Sequence, residues 1–389
     1  MVSSKKQPLT KVAVGCQGGG MHAAFTVGVL TEILKDVADK KFELVGLSGT
    51  SAGALCTLIA WYGLAPKKSG PGSPREAIKA LDRAWDAFTA QTPTECILNQ
   101  LSYYGFRLQE METPVLGLNT SGLGINPASI ATKTIFSWLP KLDVRQQYFD
   151  LRDFLDTECA DFAGVEWADL KTRLLIGATE IVQGCETVFD SAINRHSAIK
   201  GKPPEPGPNP WRKRMELSLE GVTASGTLPE FSETVRILGG YYWDGLYSQN
   251  PPVREFFSDT PVDEKPDELW IVRINPQQWP GPPKSRADII DRENELKGNL
   301  STNKELDFLM QVNEWMEKSG HPFAKKFKPV IIRTIKMTQH TADELRYSSK
   351  FNRSRAFTDQ LRDEGTAEAR KWLNRWPKVG SWPQDAAYS

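Results

Sequence analysis

Residues 42–55 read "FELVGLSGTSAGAL" and join an apolar, strand-like run to a small-residue turn and the start of an apolar helix. Ser51 occupies the centre of the pattern G-x-S-x-G, between Gly49 and Gly53. In a strand-turn-helix context this pattern is typical of a nucleophile elbow, where a side chain at either glycine would collide with the sharply reversing chain. The elbow presents the Ser51 hydroxyl at a helix N-terminus, whose dipole favours a developing negative charge. The alternative is a tight turn with a purely structural role.

The segments around this turn predict an α/β fold. Short β-type runs alternate with helical periodicity, a pattern that is typical of a mostly parallel sheet covered on both faces. A chain of 389 residues with 40% hydrophobic content has room for one large domain with an appendage, or for two smaller domains. The expected strands cover residues 11–15, 42–47, 173–178, 269–274 and 330–335, and the expected helices include 54–61, 73–88 and 305–316.

Composition excludes several functional classes. The 48 basic residues balance 48 acidic ones, so no overall field draws the protein to nucleic acid. The first residues are polar and basic, and the apolar run after them is interrupted by glycines. We therefore expect neither a signal peptide nor a membrane-spanning helix, and we expect a cytoplasmic protein. Five widely spaced cysteines without a CxxC pair indicate buried free thiols rather than a disulfide framework or a zinc site.

A second glycine-rich stretch, "GCQGGGMHAAFTVGVL", covers residues 15–30. A dinucleotide loop requires an acidic residue at the end of the second strand, where this chain has the serine turn, and no Gly-Lys-Ser/Thr completes a P-loop. With a candidate nucleophile one βαβ unit later, Gly18, Gly19 and Gly20 are better interpreted as backbone N–H donors for the oxyanion of acyl transfer.

A serine nucleophile needs a base, and the best candidate is Asp244 in "GGYYWDGLYSQNPP". Its aromatic neighbours are expected to bury it, and burial raises the pKa of a carboxyl group and so its basicity. Asp-Gly is also a common turn sequence, so a turn role stays open. The four histidines are His22, His196, His321 and His340, and none lies in a segment that is suited to positioning it.

Four stretches together resemble the patatin-like phospholipase family: "GGGMHAAFTVGVL", "GTSAGAL", "ASGTLPEF" and "YWDGLYSQNPP". The resemblance implies a three-layer α/β/α sandwich and a lipid acyl hydrolase without metal or organic cofactor. It also implies a catalytic dyad of Ser51 and Asp244, with the three glycines as the oxyanion loop. We expect a catalytic domain over residues 8–337, with a cap insertion at 93–150, and a helical extension over 338–389 that packs on it.

The chain departs from the family pattern directly after the triple glycine. The family usually has x-Arg/Lys-Gly there, whereas this chain has Met21-His22-Ala23, which makes His22 a candidate contact for the lipid or ester substrate. Weak peripheral membrane contact is a further hypothesis, through the insertion, the basic patch at 325–328 or the tryptophan-containing tail at 371–385.

Three functions besides a hydrolase with a Ser-Asp dyad stay open. The first is an acyltransferase that uses the same acyl-enzyme. The second is a Ser-His-Asp esterase that uses His321 or His340. The third is a lipid- or nucleotide-binding module without catalysis.

Overall fold

The computed structural model describes residues 8–110, 144–229, 232–258, 260–319 and 326–381. Helices lie on both sides of a mostly parallel sheet, which confirms the predicted α/β/α sandwich. The strands are β1 Lys11–Cys16, β2 Glu43–Thr50, β3 Arg173–Glu180, β4 Cys185–Asp190, β5 Arg212–Glu216, β6 Val235–Ile237, β7 Gly240–Asp244, β8 Glu268–Arg273 and β9 Ile331–Lys336. The helices are α1 Ala24–Ala38, α2 Ala52–Leu64, α3 Pro74–Phe88, α4 Pro93–Glu110, α5 Gln146–Phe149, α6 Leu151–Glu158, α7 Ser191–Lys200, α8 Leu219–Ser225, α9 Glu255–Ser258, α10 Arg286–Ser319, α11 Gln339–Glu344 and α12 Arg355–Arg375.

The strand order determines where the functional segments meet. The main path runs β5-β4-β3-β2-β1-β8-β9. The five strands from β3 to β9 on this path are parallel to one another, whereas β4 is antiparallel to β3. β2 pairs with β3 only as far as Thr50 opposite Gly177. Beyond that point, β7 pairs with the same edge of β3 in the antiparallel orientation, and its last residue, Asp244, lies opposite Ala178. The last residue of β7 is therefore brought to the end of β2.

Both faces of the central strands are buried, as expected for a parallel sheet between two helical layers. In β1, Val12 and Val14 pack into the larger core with α1 and α2, while Ala13 faces a second core. That second core contains Leu306 and Leu309 of α10, together with residues of β8 and β9. Successive apolar side chains of β1 thus point alternately into two cores, rather than into one core and solvent.

The C-terminal helix α12 lies against α1. Arg370 of α12 forms an ion pair with Glu32 of α1 at 2.8 Å. Trp372 is buried against Trp270 of β8, and Trp376 also packs on that ring while donating a hydrogen bond to Glu268. These two tryptophans of the tail therefore contact the protein's own core.

One local expectation needs correction, and another falls partly outside the described residues. Residues 93–110, the first part of the expected cap, form the continuous helix α4. Cys96 on that helix is exposed, so the prediction of a buried thiol is wrong there, although the other four cysteines are buried. Residues 111–143 of the expected cap lie outside the described residues.

Candidate active site

Ser51 lies in a strained turn between β2 and α2. Its backbone angles, φ 55° and ψ −129°, fall in a region that non-glycine residues rarely adopt. A Cβ atom on Gly49 would approach the Gly53 carbonyl oxygen to 2.3 Å, and one on Gly53 would approach the Cys16 carbonyl oxygen to 2.4 Å. Only glycine fits at these two positions, and the turn places the Ser51 side chain at the N-terminus of α2, as the sequence pattern predicts.

Asp244 reaches Ser51 through the pairing of β7 with β3. The residue is fully buried, and its Oδ1 accepts a hydrogen bond of 2.8 Å from the Leu246 amide. The other oxygen, Oδ2, makes no hydrogen bond of normal geometry with the described residues. Burial raises the pKa of Asp244 to about 7, and this outweighs the opposite effects of the nearby Ser51 hydroxyl, the Leu246 amide and the charge of Lys350. The carboxylate is therefore a far better proton acceptor than an exposed aspartate.

Ser225 links the turn at Ser51 to strand β3 through two hydrogen bonds. Its hydroxyl accepts a hydrogen bond of 3.0 Å from the Ser51 amide and donates one of 2.6 Å to the Gly177 carbonyl oxygen. Ser225 lies in the segment "ASGTLPEF", which contributes to the family resemblance, but the sequence alone gives this residue no role. The signal that could have pointed to Ser225 is a small hydroxyl residue at the end of the helix that becomes α8.

The glycine loop packs directly against the nucleophile. A Cβ atom on Gly18 would lie 2.7 Å from the Ser51 Cβ atom. The Gly18 amide, however, donates a hydrogen bond of 2.6 Å to Asn250 Oδ1, and the Gly18 carbonyl oxygen accepts one of 3.0 Å from Asn275 Nδ2. The structure thus differs from the sequence prediction at this residue, because the Gly18 amide is bound to protein rather than directed at substrate. The next amide, that of Gly19, belongs to the peptide unit that Asn275 holds.

His22 does not face the nucleophile. Its imidazole is buried, and Nε2 lies 2.7 Å from the Ser349 hydroxyl. Burial and the charge of Lys350 lower its pKa well below the usual value, so the ring is neutral at physiological pH. His22 does not line the cavity beside Ser51, and the prediction of a substrate contact there is not supported by its position.

The remaining histidines lie elsewhere. His340 is exposed on α11 beside Glu344. His196 of α7 lines a cleft with Lys11 and Glu43, at the amino ends of β1 and β2, whereas Ser51 follows the carboxyl end of β2. His321 lies outside the described residues.

An apolar cavity of about 290 Å³ opens beside Ser51. The polar groups at its edge include Asn99, Ser102 and Arg353. Its apolar lining includes Leu55, Trp85, Phe88, Leu98, Phe106 and Leu151 from α2, α3, α4 and α6, together with Leu228 and Phe351. A space of this kind accepts a hydrocarbon chain.

A family model described as "Patatin-like phospholipase" matches residues 16–257, a span that holds Ser51, Asp244 and the glycine loop. The chain belongs to the patatin-like phospholipase family. Members of this family are lipid acyl hydrolases, and their substrates are lipids. The family match ends well before Lys350, Phe351 and Arg353, which also line the cavity.

Two solved structures show distant similarity to this patatin-like chain. The crystal structure of VipD from Legionella pneumophila is 14% identical with a TM-score of 0.35, over 92% of this chain and 67% of VipD. The crystal structure of the type III effector protein ExoU is 12% identical with a TM-score of 0.26, over 94% of this chain and 53% of ExoU. This chain thus spans about two thirds of the first and half of the second. No curated protein matches the sequence.

Within residues 8–110 and the later described ranges, no three His, Cys, Asp or Glu side chains are grouped so as to hold a metal ion. Over the same residues, none of the helices contains an apolar run of the length that crossing a bilayer requires.

Proposed function

We propose that the protein hydrolyses carboxylic ester bonds of lipids through a dyad of Ser51 and Asp244. The observation that carries the proposal is the juxtaposition of a strained serine at a helix N-terminus with a buried carboxyl group whose pKa is about 7. Ser51 lines an apolar cavity, and Asp244 is buried next to the Ser51 hydroxyl. A base with a pKa near the working pH combines a large ionised fraction with strong proton affinity.

In the acylation step, Asp244 accepts the Ser51 proton while the serine oxygen attacks the ester carbonyl carbon. The negative charge moves to the carbonyl oxygen, where the Gly19 and Gly20 amides and the positive end of α2 stabilise it. The C–O bond to the alcohol then breaks, and protonated Asp244 transfers its proton to the departing alkoxide. The product of this half-reaction is an acyl-enzyme on Ser51.

In the deacylation step, a water molecule attacks the acyl-enzyme. Asp244 accepts one proton from that water, the same amides stabilise the second oxyanion, and the proton returns to Ser51 as the C–O bond breaks. The fatty acid leaves and the dyad is restored. The apolar cavity accounts for a preference for acyl chains over small polar esters.

The decisive experiment is a hydrolysis panel of p-nitrophenyl esters, neutral glycerides and phospholipids, with Ser51→Ala as the blank. Both Ser51→Ala and Asp244→Asn should lower the rate about a thousandfold or more, the scale on which removal of a nucleophile or its base acts. His196→Ala, His321→Ala and His340→Ala should each stay within about tenfold of the unmodified protein. An essential histidine among these three would exclude the dyad.

Two additions to the panel distinguish hydrolysis from binding without catalysis and from acyl transfer. A fluorophosphonate probe should label Ser51, whereas a non-catalytic lipid-binding module would remain unlabelled. An added alcohol acceptor should leave fatty acid as the main product, whereas an acyltransferase would produce the new ester.

We also propose that the enzyme approaches lipid aggregates through α4. Four large apolar side chains, Ile97, Leu101, Tyr104 and Leu108, are exposed on one face of this helix. They follow the i, i+4, i+7, i+11 spacing of an apolar stripe. The opposite face of α4 contributes Leu98 and Phe106 to the cavity beside Ser51. The two other features that suggest membrane contact are weaker, since Lys328 pairs with Asp267 and the tail tryptophans 372 and 376 pack on the core.

A further inference from the structure

Lys350 lies behind the glycine loop, in a short 3-10 helix over Tyr347–Phe351 that follows the family match by about ninety residues. Its carbonyl oxygen packs so closely on Gly20 that a Cβ atom there would come within 2.4 Å. Its ammonium group donates hydrogen bonds to Asn275 Oδ1, at 3.1 Å, and to Asn294 Oδ1. Both partners are neutral amide oxygens, so the hydrogen bonds leave the positive charge uncompensated.

Asn275 connects this charge to the loop. While its Oδ1 accepts from Lys350, its Nδ2 donates to the Gly18 carbonyl oxygen at 3.0 Å. A peptide unit is planar, so holding the Gly18 carbonyl also fixes the direction of the Gly19 N–H. Hydrogen bonds in such a chain polarise one another, and a charged donor strengthens the first of them.

The charged groups around Lys350 come from several elements. The carboxylates of Asp291 and Glu295 on α10 and of Asp244 after β7 raise its pKa, but burial outweighs them and lowers the pKa to about 8. Among the described residues no carboxylate comes within ion-pair distance of the Lys350 nitrogen, and Asp291 pairs with Arg346 instead. The neighbouring His22 is uncharged. The field of the Lys350 ammonium therefore reaches Asp244, whose pKa it lowers.

We propose that Lys350 is a positioning residue for ester hydrolysis: through Asn275 it aligns and polarises the Gly19 amide toward the oxyanion. This inference rests on the proposed function of Ser51 and Asp244. The positive charge of the oxyanion site thus comes from a C-terminal segment, and it acts through the glycine loop. The protonated form is the active one, since a neutral amine lacks the charge that strengthens the hydrogen-bonded chain.

The test is the pH dependence of kcat and KM for a soluble p-nitrophenyl ester. With an active base of pKa about 7 and an active ammonium of pKa about 8, the unmodified enzyme should give a bell-shaped profile. Lys350→Met should lower kcat about ten- to a hundredfold with little change in KM, and the alkaline limb should disappear. The acid limb should move to higher pH, because Asp244 loses a positive neighbour. Lys350→Arg should restore much of kcat and carry the alkaline limb beyond the accessible range, because arginine stays protonated.

Two controls separate a positioning role from a structural one. Lys265→Met removes another buried lysine, which lies just before β8 and donates a hydrogen bond to the Phe257 carbonyl oxygen. This variant should lose stability without altering the pH profile of kcat. Glu295→Gln should shift the alkaline limb to lower pH, because Glu295 raises the pKa of Lys350.

The outcomes are distinguishable. Retention of the alkaline limb in Lys350→Met, or its absence in the unmodified enzyme, overturns the inference while leaving the dyad intact. Activity that persists in Ser51→Ala overturns the proposed function and this inference with it. Loss of the limb in Lys350→Met together with recovery in Lys350→Arg supports the positioning role.

Discussion

The Gly18 amide donates a hydrogen bond of 2.6 Å to Asn250 Oδ1, across 232 residues of sequence. Asn275 holds the carbonyl oxygen of the same glycine. Gly18 is therefore fixed at both its donor and its acceptor, and the peptide units on either side of it cannot rotate. In the proposed mechanism, a loop that is held in this way needs no reorganisation when the oxyanion forms, which is the condition under which backbone amides are effective in catalysis.

Replacing Asn250 by alanine should therefore damage catalysis as well as stability. The Gly18 amide would lose its acceptor, and a buried unsatisfied donor costs about 1–3 kcal/mol. We expect the free energy of unfolding to fall by that amount and kcat to fall about tenfold, because the loop becomes mobile. Chemical denaturation and ester hydrolysis measure the two effects.

Thr302→Val is the matched control for this change. The Thr302 hydroxyl donates to the Asn250 backbone carbonyl oxygen, so the variant removes a contact to the same residue but leaves the Gly18 amide bound. It should lose stability while kcat stays within about twofold. Equal losses of kcat in the two variants would mean that Asn250 supports the fold alone.

The fold, and the candidate pair Ser51 and Asp244 that it brings together, could be inferred from the sequence because their signals are local. Ser51 lies in a short pattern whose glycines have an evident steric purpose, and Asp244 follows an aromatic strand that buries it. Alternation of strands and helices then restricts the topology, since parallel strands bring their carboxyl ends to one edge of the sheet.

The supporting residues were not predictable, for a physical reason. Asn250, Asn275 and Lys350 make hydrogen bonds that span 75 to 257 residues, and nothing near each residue in the sequence marks its partner. The departure from the family pattern at His22 was visible in the sequence, but its effect on the charges around the glycine loop was not. A neutral histidine there became intelligible only when the fold placed Lys350 beside it.

Asp244→Asn should stabilise the protein at alkaline pH while abolishing activity. The folded-state pKa of Asp244, about 7, lies above the value of 3.8 that is usual for an aspartate in water. A raised carboxyl pKa contributes stability that is present below the unfolded pKa and is lost as pH rises through the folded pKa. Asparagine never ionises, so the variant avoids this loss, which is about 4 kcal/mol for a shift from 3.8 to about 7.

The measurement compares urea unfolding of the two proteins at about pH 5 and about pH 8, on either side of the Asp244 pKa. Lys350 also titrates near pH 8, and Asp244 raises its pKa, so the same comparison in a Lys350→Met background isolates the contribution of Asp244. The stability advantage of Asp244→Asn should grow with pH. A difference that stays constant between the two conditions would show that Asp244 is ionised throughout.

Gly49→Ala should prevent the elbow from forming. The added methyl group would lie 2.3 Å from the Gly53 carbonyl oxygen and 2.5 Å from the Thr57 hydroxyl, and the Gly53 backbone cannot withdraw without displacing the start of α2. We expect a loss of several kcal/mol in stability, or no soluble protein, since the clash involves backbone. Thermal unfolding and soluble yield are the readouts.

Gly105→Ala is the control for that variant, because a methyl group at Gly105 on α4 meets no atom within 4 Å. Alanine favours a helix over glycine by about 1 kcal/mol, so this protein should be as stable as the unmodified one or more so. If Gly49→Ala behaved like Gly105→Ala, the close approach at the elbow would not exist in solution.

Leu101→Ser combined with Leu108→Ser should weaken binding to lipid vesicles. Both side chains are exposed on the outer face of α4, away from the cavity that Leu98 and Phe106 line. Losing two apolar side chains at a lipid interface should lower vesicle affinity about tenfold or more, with a matching loss of hydrolysis on vesicles. Hydrolysis of a monomeric ester should stay unchanged, because the dyad and cavity are untouched. Leu300→Ser, at an exposed leucine on α10, should leave sedimentation with vesicles as it is in the unmodified protein. If the α4 variant sedimented equally well, lipid would have to bind through another surface.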